Sequence, residues 1–440
     1  MNNYFLRMEH YGGYLLDRDT LDEWELNTST TIFALLYKST NDYELSKEIA
    51  ESFIDSGAIS YEITNYCGLL KSNVSIEGTN KNELLINCKD IVNMFSKLNY
   101  FASPSEITLY PTLDCQLNCD FCFIETKNND ESILSLNDWK EILNAFDLMG
   151  GASISLLGGE PTLYKDIIPL INHIESLGIR ATITTNGLSL REDLIDTLIG
   201  SRYITPTFSI QSLSDINIQR MGVSSDVIIK SLNDLLIKGK MCRIHSVLLN
   251  QSFEDICNMI DFCCDNNIDR YSLGHYLYKN SPYKHENSFE YTRIMQERLN
   301  DYVVKKNYKN FTAQIEGCLL YSAYEKEAPT DIIETVFDIY NYGCECGNNK
   351  IEIMCNGYSF PCIAFETTKF KDNIKSYSGL QELWNSSPIL TRFRGLRSKE
   401  IQECCSCNFM RFCNGGCHYV NYMTYGDIGI GKDKRCNVTL

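Results

Sequence analysis

The chain has 440 residues and a formal net charge of −17, with 44% hydrophobic and 22% charged residues. This length fits about three domains, and the composition is that of an ordinary globular protein. The acidic balance argues against a nucleic-acid partner, because phosphate binding needs clustered Lys and Arg. The opening MNNYFLRMEH has no apolar signal segment, and no apolar run is long enough to cross a bilayer. We therefore expect a cytoplasmic protein without a membrane partner.

Twenty cysteines are the most informative feature of the composition. In a reducing cytoplasm they are not expected to form disulfides. Eleven of them lie beyond residue 317, and this clustering predicts ligands of metals or metal clusters. Five scattered cysteines fit the role of small buried hydrophobic residues instead; these are Cys67, Cys88, Cys242, Cys257 and Cys263.

Residues 1–85 predict a small unit in which strands precede helices. YFLRMEHYGGYLLD indicates a β-hairpin that turns at Gly12 and Gly13, and EWEL indicates a third strand. Two helices follow, TIFALLYK after an N-cap at Asn27 or Thr28, and DYELSKEIAESFI. This order predicts a winged-helix-like fold. With four basic and eleven acidic side chains in residues 1–60, DNA binding is not expected of it.

After a linker over 86–105, residues 106–305 alternate strand-like apolar runs with helix-period segments. The strand-like runs are EITLYP, ASISLLGG, RATITTNG, YITPTFSIQ, CRIHSVLLN and RYSLGHY. Six β/α repeats predict an α/β fold whose parallel sheet curves into a partial (β/α)6 barrel. Catalytic groups in such barrels lie in the loops after the carboxyl ends of the strands. A bridging region over 306–340 leads to a cysteine-rich domain, 341–440, whose stability is expected to depend on metal sites.

Three cysteines in CQLNCDFC follow the first of these strands: Cys115, Cys119 and Cys122. A structural zinc site normally has four protein ligands in two close pairs. Three thiolates from one loop, without a fourth ligand nearby, fit an iron–sulfur cluster better. Such a cluster of four irons would leave one iron open to a small molecule.

The C-x3-C-x2-C spacing, with an aromatic residue before the last cysteine, resembles the radical S-adenosylmethionine (SAM) superfamily. The resemblance implies that a [4Fe–4S] cluster on the three thiolates binds SAM as its missing ligand. LLGGEP, TTNG and FSIQS stand at the ends of the next three strands, where the family contacts SAM. Each string alone is weak, but their order supports the assignment. The implied SAM-binding residues are Phe121, Gly158, Gly159, Glu160, Asn186, Ser209 and Gln211.

The tail segments CNGYSFPC and CCSCNFMRFCNGGC resemble the SPASM extension of radical SAM enzymes that modify peptides. From spacing alone, a pair of zinc knuckles is the alternative. The resemblance implies two auxiliary [4Fe–4S] clusters. One would be bound by Cys404, Cys407, Cys413 and Cys436, and the other by Cys318, Cys344, Cys362 and Cys417. Cys346 is an alternative to Cys318 or Cys344, whereas Cys355 and Cys405 are spare.

Longer stretches, including YITPTFSIQSLSDINIQRMGV and KIEIMCNGYSFPCIAF, are similar to streptide-type maturases of streptococci. The resemblance implies an enzyme that cross-links a ribosomally made precursor peptide through a 5′-deoxyadenosyl radical, most simply by a Lys–Trp carbon–carbon bond. The N-terminal unit would bind the leader of the precursor, as an added strand in one mode, and a flavodoxin or ferredoxin would supply electrons. A thioether or ether link, or a sulfatase-type oxidation, is an alternative on the same scaffold. A non-enzymatic iron–sulfur regulator is an alternative of another class.

A proton acceptor is needed if an aromatic ring is restored after cross-linking. Glu316 is the catalytic candidate because it lies beside Cys318, and a hydrogen-bonded surface glutamate is the simpler alternative. His245 and His275 could face the barrel interior, where we expect ordinary hydrogen-bonded roles for both.

Overall fold

The computed structural model describes residues 3–53, 58–68, 70–98, 100–124, 134–249, 251–276, 288–316, 344–396, 400–407, 413 and 415–436. Cys318, one of the predicted ligands, lies outside these residues. In the ranges described, no helix has the length and apolar character needed to span a membrane.

The N-terminal unit is a twisted sheet covered by helices. Its strands are β1 (Tyr4–Glu9), β2 (Gly12–Asp17), β3 (Glu23–Leu26) and β4 (Lys71–Ser72), in the order β3-β2-β1-β4. Its helices are α1 (Thr28–Thr40), α2 (Tyr43–Ala50), α3 (Thr64–Cys67) and α4 (Lys81–Phe95). Apolar side chains of α1 such as Phe33 and Leu36 pack against Leu6 of β1 and Phe95 of α4. The predicted hairpin, third strand and winged-helix-like arrangement are confirmed. The predicted turn position is wrong, because the chain turns at His10 and Tyr11, and Gly12 and Gly13 are the first paired residues of β2.

The start of α1 follows from a local hydrogen bond. The side chain of Asn27 accepts the backbone N–H of Thr30 at 2.8 Å, which satisfies one of the unpaired donors of the first turn. Asn27 is therefore the N-cap, and Thr28 is the first helical residue.

Two buried arginines attach this unit to the following domain. The guanidinium of Arg7 contacts Glu9 and donates to the carbonyl of Gly150 at 3.2 Å, and Glu9 accepts the N–H of Ala102 at 2.8 Å. Arg18, whose side chain is fully buried, pairs with Asp147. Because an unpaired charge in such a position costs about 3–5 kcal/mol, these contacts hold the two parts in one arrangement.

A ten-stranded sheet, counted over the described part of the chain, forms the centre of the molecule. Its strands are β5 (Glu106–Tyr110), β6 (Ser153–Leu156), β7 (Arg180–Thr185), β8 (Ile204–Ser209), β9 (Arg243–Leu248), β10 (Arg270–His275), β11 (Thr312–Glu316), β12 (Lys350–Met354), β13 (Tyr358–Phe360) and β14 (Asp372–Asn373). Their order is β11-β10-β9-β8-β7-β6-β5-β12-β13-β14. Strands β5 to β10 are the six predicted strands, and they are parallel.

Helices between the strands cover one face of the sheet. They are α5 (Leu136–Met149), α6 (Ile167–Leu177), α7 (Glu192–Gly200), α8 (Ile216–Met221), α9 (Ser225–Leu236), α10 (Phe253–Asp265) and α11 (Phe289–Lys306). Burial alternates along β7 and β9, so that Ile183 and Ile244 pack under the helices. Thr184 and His245 point to the opposite, partly exposed face, which is the interior of the partial barrel.

The C-terminal region begins with strands that continue the barrel sheet. Strand β12 pairs in parallel with β5, and β13 and β14 follow it in antiparallel pairing. Helices α12 (Leu380–Ser386), α13 (Pro388–Arg394) and α14 (His418–Tyr425) lie beyond them. An aromatic cluster packs beside the buried cysteines of this region; it contains Phe365, Phe370, Phe393, Tyr419 and Tyr422. The sequence pattern of β12 does not predict that this strand joins the barrel sheet.

Candidate active site

The thiols of Cys115, Cys119 and Cys122 face one cavity of about 330 Å³ at the carboxyl end of β5. All three residues are partly exposed. The loop is held by its own backbone, since the N–H of Cys122 donates to the carbonyl of Cys119 at 3.2 Å. Within the described residues, no three His, Cys, Asp or Glu side chains converge on a single-ion site. The cavity that the three thiols border is large enough for a group bigger than one ion.

Two glycines after β6 pack directly on the cysteine loop. A Cβ on Gly158, whose φ is +147°, would lie 2.4 Å from the carbonyl oxygen of Thr112, and one on Gly159 would lie 2.3 Å from that of Asp114. The N–H of Gly159 donates to the carbonyl of Thr112 at 3.0 Å. Glycine is required here because the two backbones touch. This contact fixes the position of the thiols relative to β6.

Glu160 is a buried carboxylate that connects the ends of β6 and β7. It accepts the N–H of Asn186 at 2.7 Å, the hydroxyl of Thr185 at 2.7 Å, and both the N–H and the hydroxyl of Thr162 at 3.1 and 2.7 Å. Burial raises the pKa of Glu160, and these hydrogen bonds oppose that rise. The carboxylate thus organises the cavity wall.

Six of the seven predicted SAM-binding residues line the cavity; they are Phe121, Gly158, Gly159, Glu160, Asn186 and Ser209. Gln211 is instead buried behind the wall, where it donates to the hydroxyl of Ser209 at 3.2 Å and accepts the N–H of Val247 at 2.8 Å. Its direct contact with SAM stays a prediction, and its observed contact supports Ser209.

Several lining residues were not assigned to the site from the sequence. The remaining wall includes Tyr110, Leu117, Val247, Gly274, His275 and Tyr276, together with His245. Strand alternation gives the signal for His245, because RIHSVL places Arg243, His245 and Val247 on one face. Glu316, at the end of β11, lies with a carboxylate oxygen 3.9 Å from Nδ1 of His245.

A second group of thiols surrounds Cys346. The neighbouring thiols of Cys344 and Cys362 raise the pKa of Cys346 well above its ordinary value. Cys417 is close enough to Cys344 for its charge to matter, although burial is the larger cause of its pKa of about 12. Thiols that oppose one another's ionisation can all be deprotonated only around a cationic centre. Cys344, Cys346, Cys362 and Cys417 therefore form one group of thiols, and Cys346 is the alternative ligand predicted from the sequence.

A third group contains Cys404, Cys407, Cys413 and Cys436. Burial and then the charges of Cys436 and Cys407 raise the pKa of Cys404 to about 11. Cys436 and Cys404 likewise raise the pKa of Cys413. By contrast, Cys405 is exposed and its thiol contacts the carbonyl of Gln402 at 3.2 Å. The structure thus brings together the four cysteines predicted for the second auxiliary cluster.

Comparison with known proteins agrees with this geometry. The family model of the radical SAM superfamily matches residues 109–263, which contain the thiol loop and strands β6 to β9. The chain is 31% identical to SuiB of Streptococcus suis in its complex with the precursor peptide SuiA, over 99% of each chain, with a TM-score of 0.85. The chain belongs to the radical SAM superfamily. The SuiB structure with S-adenosylmethionine aligns over 100% of this chain and 99% of the other, with 32% identity and a TM-score of 0.81.

Curated radical SAM relatives are more distant. The Fe-coproporphyrin III synthase of Methanosarcina barkeri is 23% identical over 356 residues, covering 74% of this chain and 86% of its own. The PqqA peptide cyclase of Rhodopseudomonas palustris is 22% identical over 342 residues, covering 74% and 85%. Family membership confirms the predicted enzyme class and barrel with its SPASM extension, and it implies SAM and a [4Fe–4S] cluster as cofactors.

Glu160→Gln should weaken SAM binding about tenfold to a hundredfold. The amide nitrogen of glutamine would face donors, such as the N–H of Asn186, that now bond to a carboxylate oxygen. An unpaired buried donor of this kind costs about 1–3 kcal/mol. Equilibrium binding of SAM to the reconstituted enzyme measures the change. Glu192→Gln, an exposed position on α7, is the matched control. Equal affinities for the two variants would contradict the role given to Glu160.

Proposed function

We propose that this radical SAM enzyme modifies a ribosomally made precursor peptide by forming a carbon–carbon cross-link between two side chains, of the Lys–Trp type. The main support for this proposal is the structural match to SuiB, which covers 99% of both chains. SuiB was solved with its precursor peptide SuiA. The similarity to the PqqA peptide cyclase supports a peptide substrate. A thioether or ether link on the same scaffold is the second candidate.

We assign Cys115, Cys119 and Cys122 to the SAM-binding [4Fe–4S] cluster. When bound, the cluster and SAM together supply a carbon-centred radical that can remove a hydrogen atom from an unactivated carbon. The wall residues hold the substrates and exclude water, which protects such a species from side reactions. Tyr110, Leu117 and Val247 contribute apolar or aromatic surface to that wall.

For the auxiliary clusters we propose two ligand sets, each with four thiols; they are Cys344, Cys346, Cys362 and Cys417, and Cys404, Cys407, Cys413 and Cys436. These clusters would accept the electron that remains on the peptide when the cross-link forms. A flavodoxin or ferredoxin is the proposed external donor to the first cluster.

The N-terminal unit, predicted as residues 1–85 and extended by α4 to Phe95, would bind the leader of the precursor. Strand β3 lies at an edge of its sheet, and Trp24 on that strand is 41% exposed. An edge strand offers unpaired backbone groups to an extended peptide. The hydrogen bond from Arg7 to Gly150 and the ion pair between Arg18 and Asp147 would then hold the captured leader at a fixed distance from the cavity.

The test is an anaerobic turnover with reconstituted enzyme, SAM, a strong reductant and the precursor peptide encoded beside the gene. We expect 5′-deoxyadenosine together with a peptide lighter by two hydrogens, whose fragmentation locates a bond between two side chains. If 5′-deoxyadenosine forms while the peptide mass is unchanged, the proposed substrate class is wrong. If neither product forms in iron-loaded protein, the proposed activity fails altogether.

A further inference from the structure

Side chains from neighbouring strands meet at one level of the barrel interior, beside the thiol loop. The pairing register places Ser209 of β8 opposite His245 of β9, and His245 opposite Ser272 of β10. Ser209 and His245 both line the cavity. His245 therefore lies in the wall that a bound substrate must contact, at the carboxyl end of the sheet.

Gly274 makes room for the imidazole of His245. A Cβ on Gly274 would lie 2.7 Å from Nε2 and 2.8 Å from Cε1 of the ring. Gly274 lines the same cavity. Because Gly274 has no side chain, Nε2 of His245 can lie at the edge of the cavity. This arrangement is specific to the ring, because any other residue at position 274 would displace it.

Hydrogen bonding at the other nitrogen sets the orientation of the ring. Nδ1 lies 2.9 Å from the hydroxyl of Ser272 and 3.9 Å from a carboxylate oxygen of Glu316. An ionised carboxylate can only accept, so it favours the tautomer that carries its proton on Nδ1. The lone pair is then on Nε2, which lies beside Gly274. Such a ring is arranged to receive a proton from the cavity.

We propose that His245 accepts the proton that the peptide loses when the cross-link forms, and that Glu316 positions its imidazole. This inference rests on the proposed function. It gives Glu316 a positioning role and gives the proton transfer to a residue for which the sequence predicted only an ordinary hydrogen-bonded role.

The reaction balances with His245 in this role. Joining an aliphatic C–H to an aromatic C–H breaks two C–H bonds and forms one C–C bond. One hydrogen leaves as an atom and ends in 5′-deoxyadenosine. The other leaves as a proton, which Nε2 of His245 accepts. The electron left behind would be taken up by an oxidised auxiliary cluster, which Cys344, Cys346, Cys362 and Cys417 would hold. Transfers of this kind typically contribute 10²- to 10⁴-fold to a rate.

The surroundings of His245 keep it in the basic form. Burial lowers its pKa below the ordinary value, and the charge of Glu316 raises it in part. The groups facing it from β8 and β10 do not ionise near neutrality; they are Ser209, Ser272 and Gly274. Across the cavity lie the thiol loop, Tyr276 and His275, and burial lowers the pKa of His275 to about 3. Burial of His245 therefore favours its uncharged imidazole.

The first experiment compares His245→Gln with wild type in anaerobic turnover, by counting cross-links formed per 5′-deoxyadenosine. We expect nucleoside formation to continue while the ratio falls at least about tenfold. His173→Gln, at a half-buried position on α6 outside the cavity, is the matched control. An unchanged ratio in His245→Gln, or an equal fall in His275→Gln, would overturn the proposal. If wild type itself formed no cross-link, the proposed function would fail first.

If His245→Gln forms no 5′-deoxyadenosine, the pH dependence of wild type and of Glu316→Gln tests the proposal instead. The ratio in wild type should rise with pH around a midpoint below the ordinary histidine pKa, because only neutral imidazole accepts a proton. In Glu316→Gln the midpoint should move to lower pH, since the carboxylate no longer raises the pKa of His245. A midpoint that does not move would overturn the proposal.

A readout without turnover uses diethyl pyrocarbonate, which modifies neutral imidazole. Peptide mapping of the modified protein across pH gives the midpoint for His245 directly. It should agree with the turnover midpoint in wild type and should shift with it in Glu316→Gln. A merely structural histidine would show no such agreement, and disagreement between the two midpoints would overturn the proposal.

Discussion

Serine in place of Cys119 should leave the enzyme unable to form 5′-deoxyadenosine and should lower its iron content by about four per chain. The three thiols of the loop come from one short segment and face one cavity. Each thiolate would hold one iron of the cluster, so the loss of Cys119 would leave one iron without its protein ligand. Iron analysis and quantification of the nucleoside after reduction measure the effect.

Cys264→Ser is the control for this change. Cys264 lies half-buried on α10, and burial, more than the nearby carboxylates, raises its pKa to about 11. Its replacement should leave both the iron content and nucleoside formation unchanged. Nucleoside formation at the wild-type rate by Cys119→Ser would show that the loop does not hold the SAM-binding cluster.

Alanine in place of Cys346 should remove about four irons per chain and abolish cross-linking, while 5′-deoxyadenosine still forms. Cys346 lies among Cys344 and Cys362 in the barrel extension, apart from the thiol loop. Loss of the first auxiliary cluster would remove a path for the surplus electron but leave SAM cleavage intact. Iron content, electron paramagnetic resonance spectra and peptide mass together measure the outcome.

Two further variants make this prediction specific. Cys355 is buried nearby, but its backbone N–H bonds to the carbonyl of Tyr110 and its thiol lies by the segment before the thiol loop. Cys355→Ala should therefore retain all iron. Cys318→Ala should also retain it if Cys346 is the ligand. Iron loss in Cys318→Ala but not in Cys346→Ala would restore the ligand set favoured from the sequence.

Local patterns explain which parts of the molecule could be predicted. The six strands β5 to β10 have apolar runs bounded by helical periods, and GGEP and the thiol loop follow strand ends directly. Each signal spans fewer than about ten residues, so no distant contact is needed to read it. The hairpin of the N-terminal unit is also local, although its turn lies at His10 and Tyr11 and not at the two glycines that follow them.

Long-range contacts explain the rest. The segment KIEIM, which forms β12, is short and combines apolar with charged residues, so its pattern does not assign it to the barrel. Only its pairing with β5 makes it a core strand. The choice between Cys318 and Cys346 depends on how the chain returns to Cys362, which spacing does not specify. The tight packing of Gly158 and Gly159 on Thr112 and Asp114 likewise needs two separate loops in place.

The pairing of β12 with β5 has a consequence for synthesis on the ribosome. Tyr110 and Glu352 on these strands are 242 positions apart. At a synthesis rate of about 5–20 residues per second, about 12–50 s pass between the synthesis of β5 and that of β12. Throughout that interval one edge of the nascent barrel is open to mispairing with other chains. Productive folding, and with it the assembly of a complete thiol site, should therefore depend on chaperone protection until the last quarter of the chain has emerged.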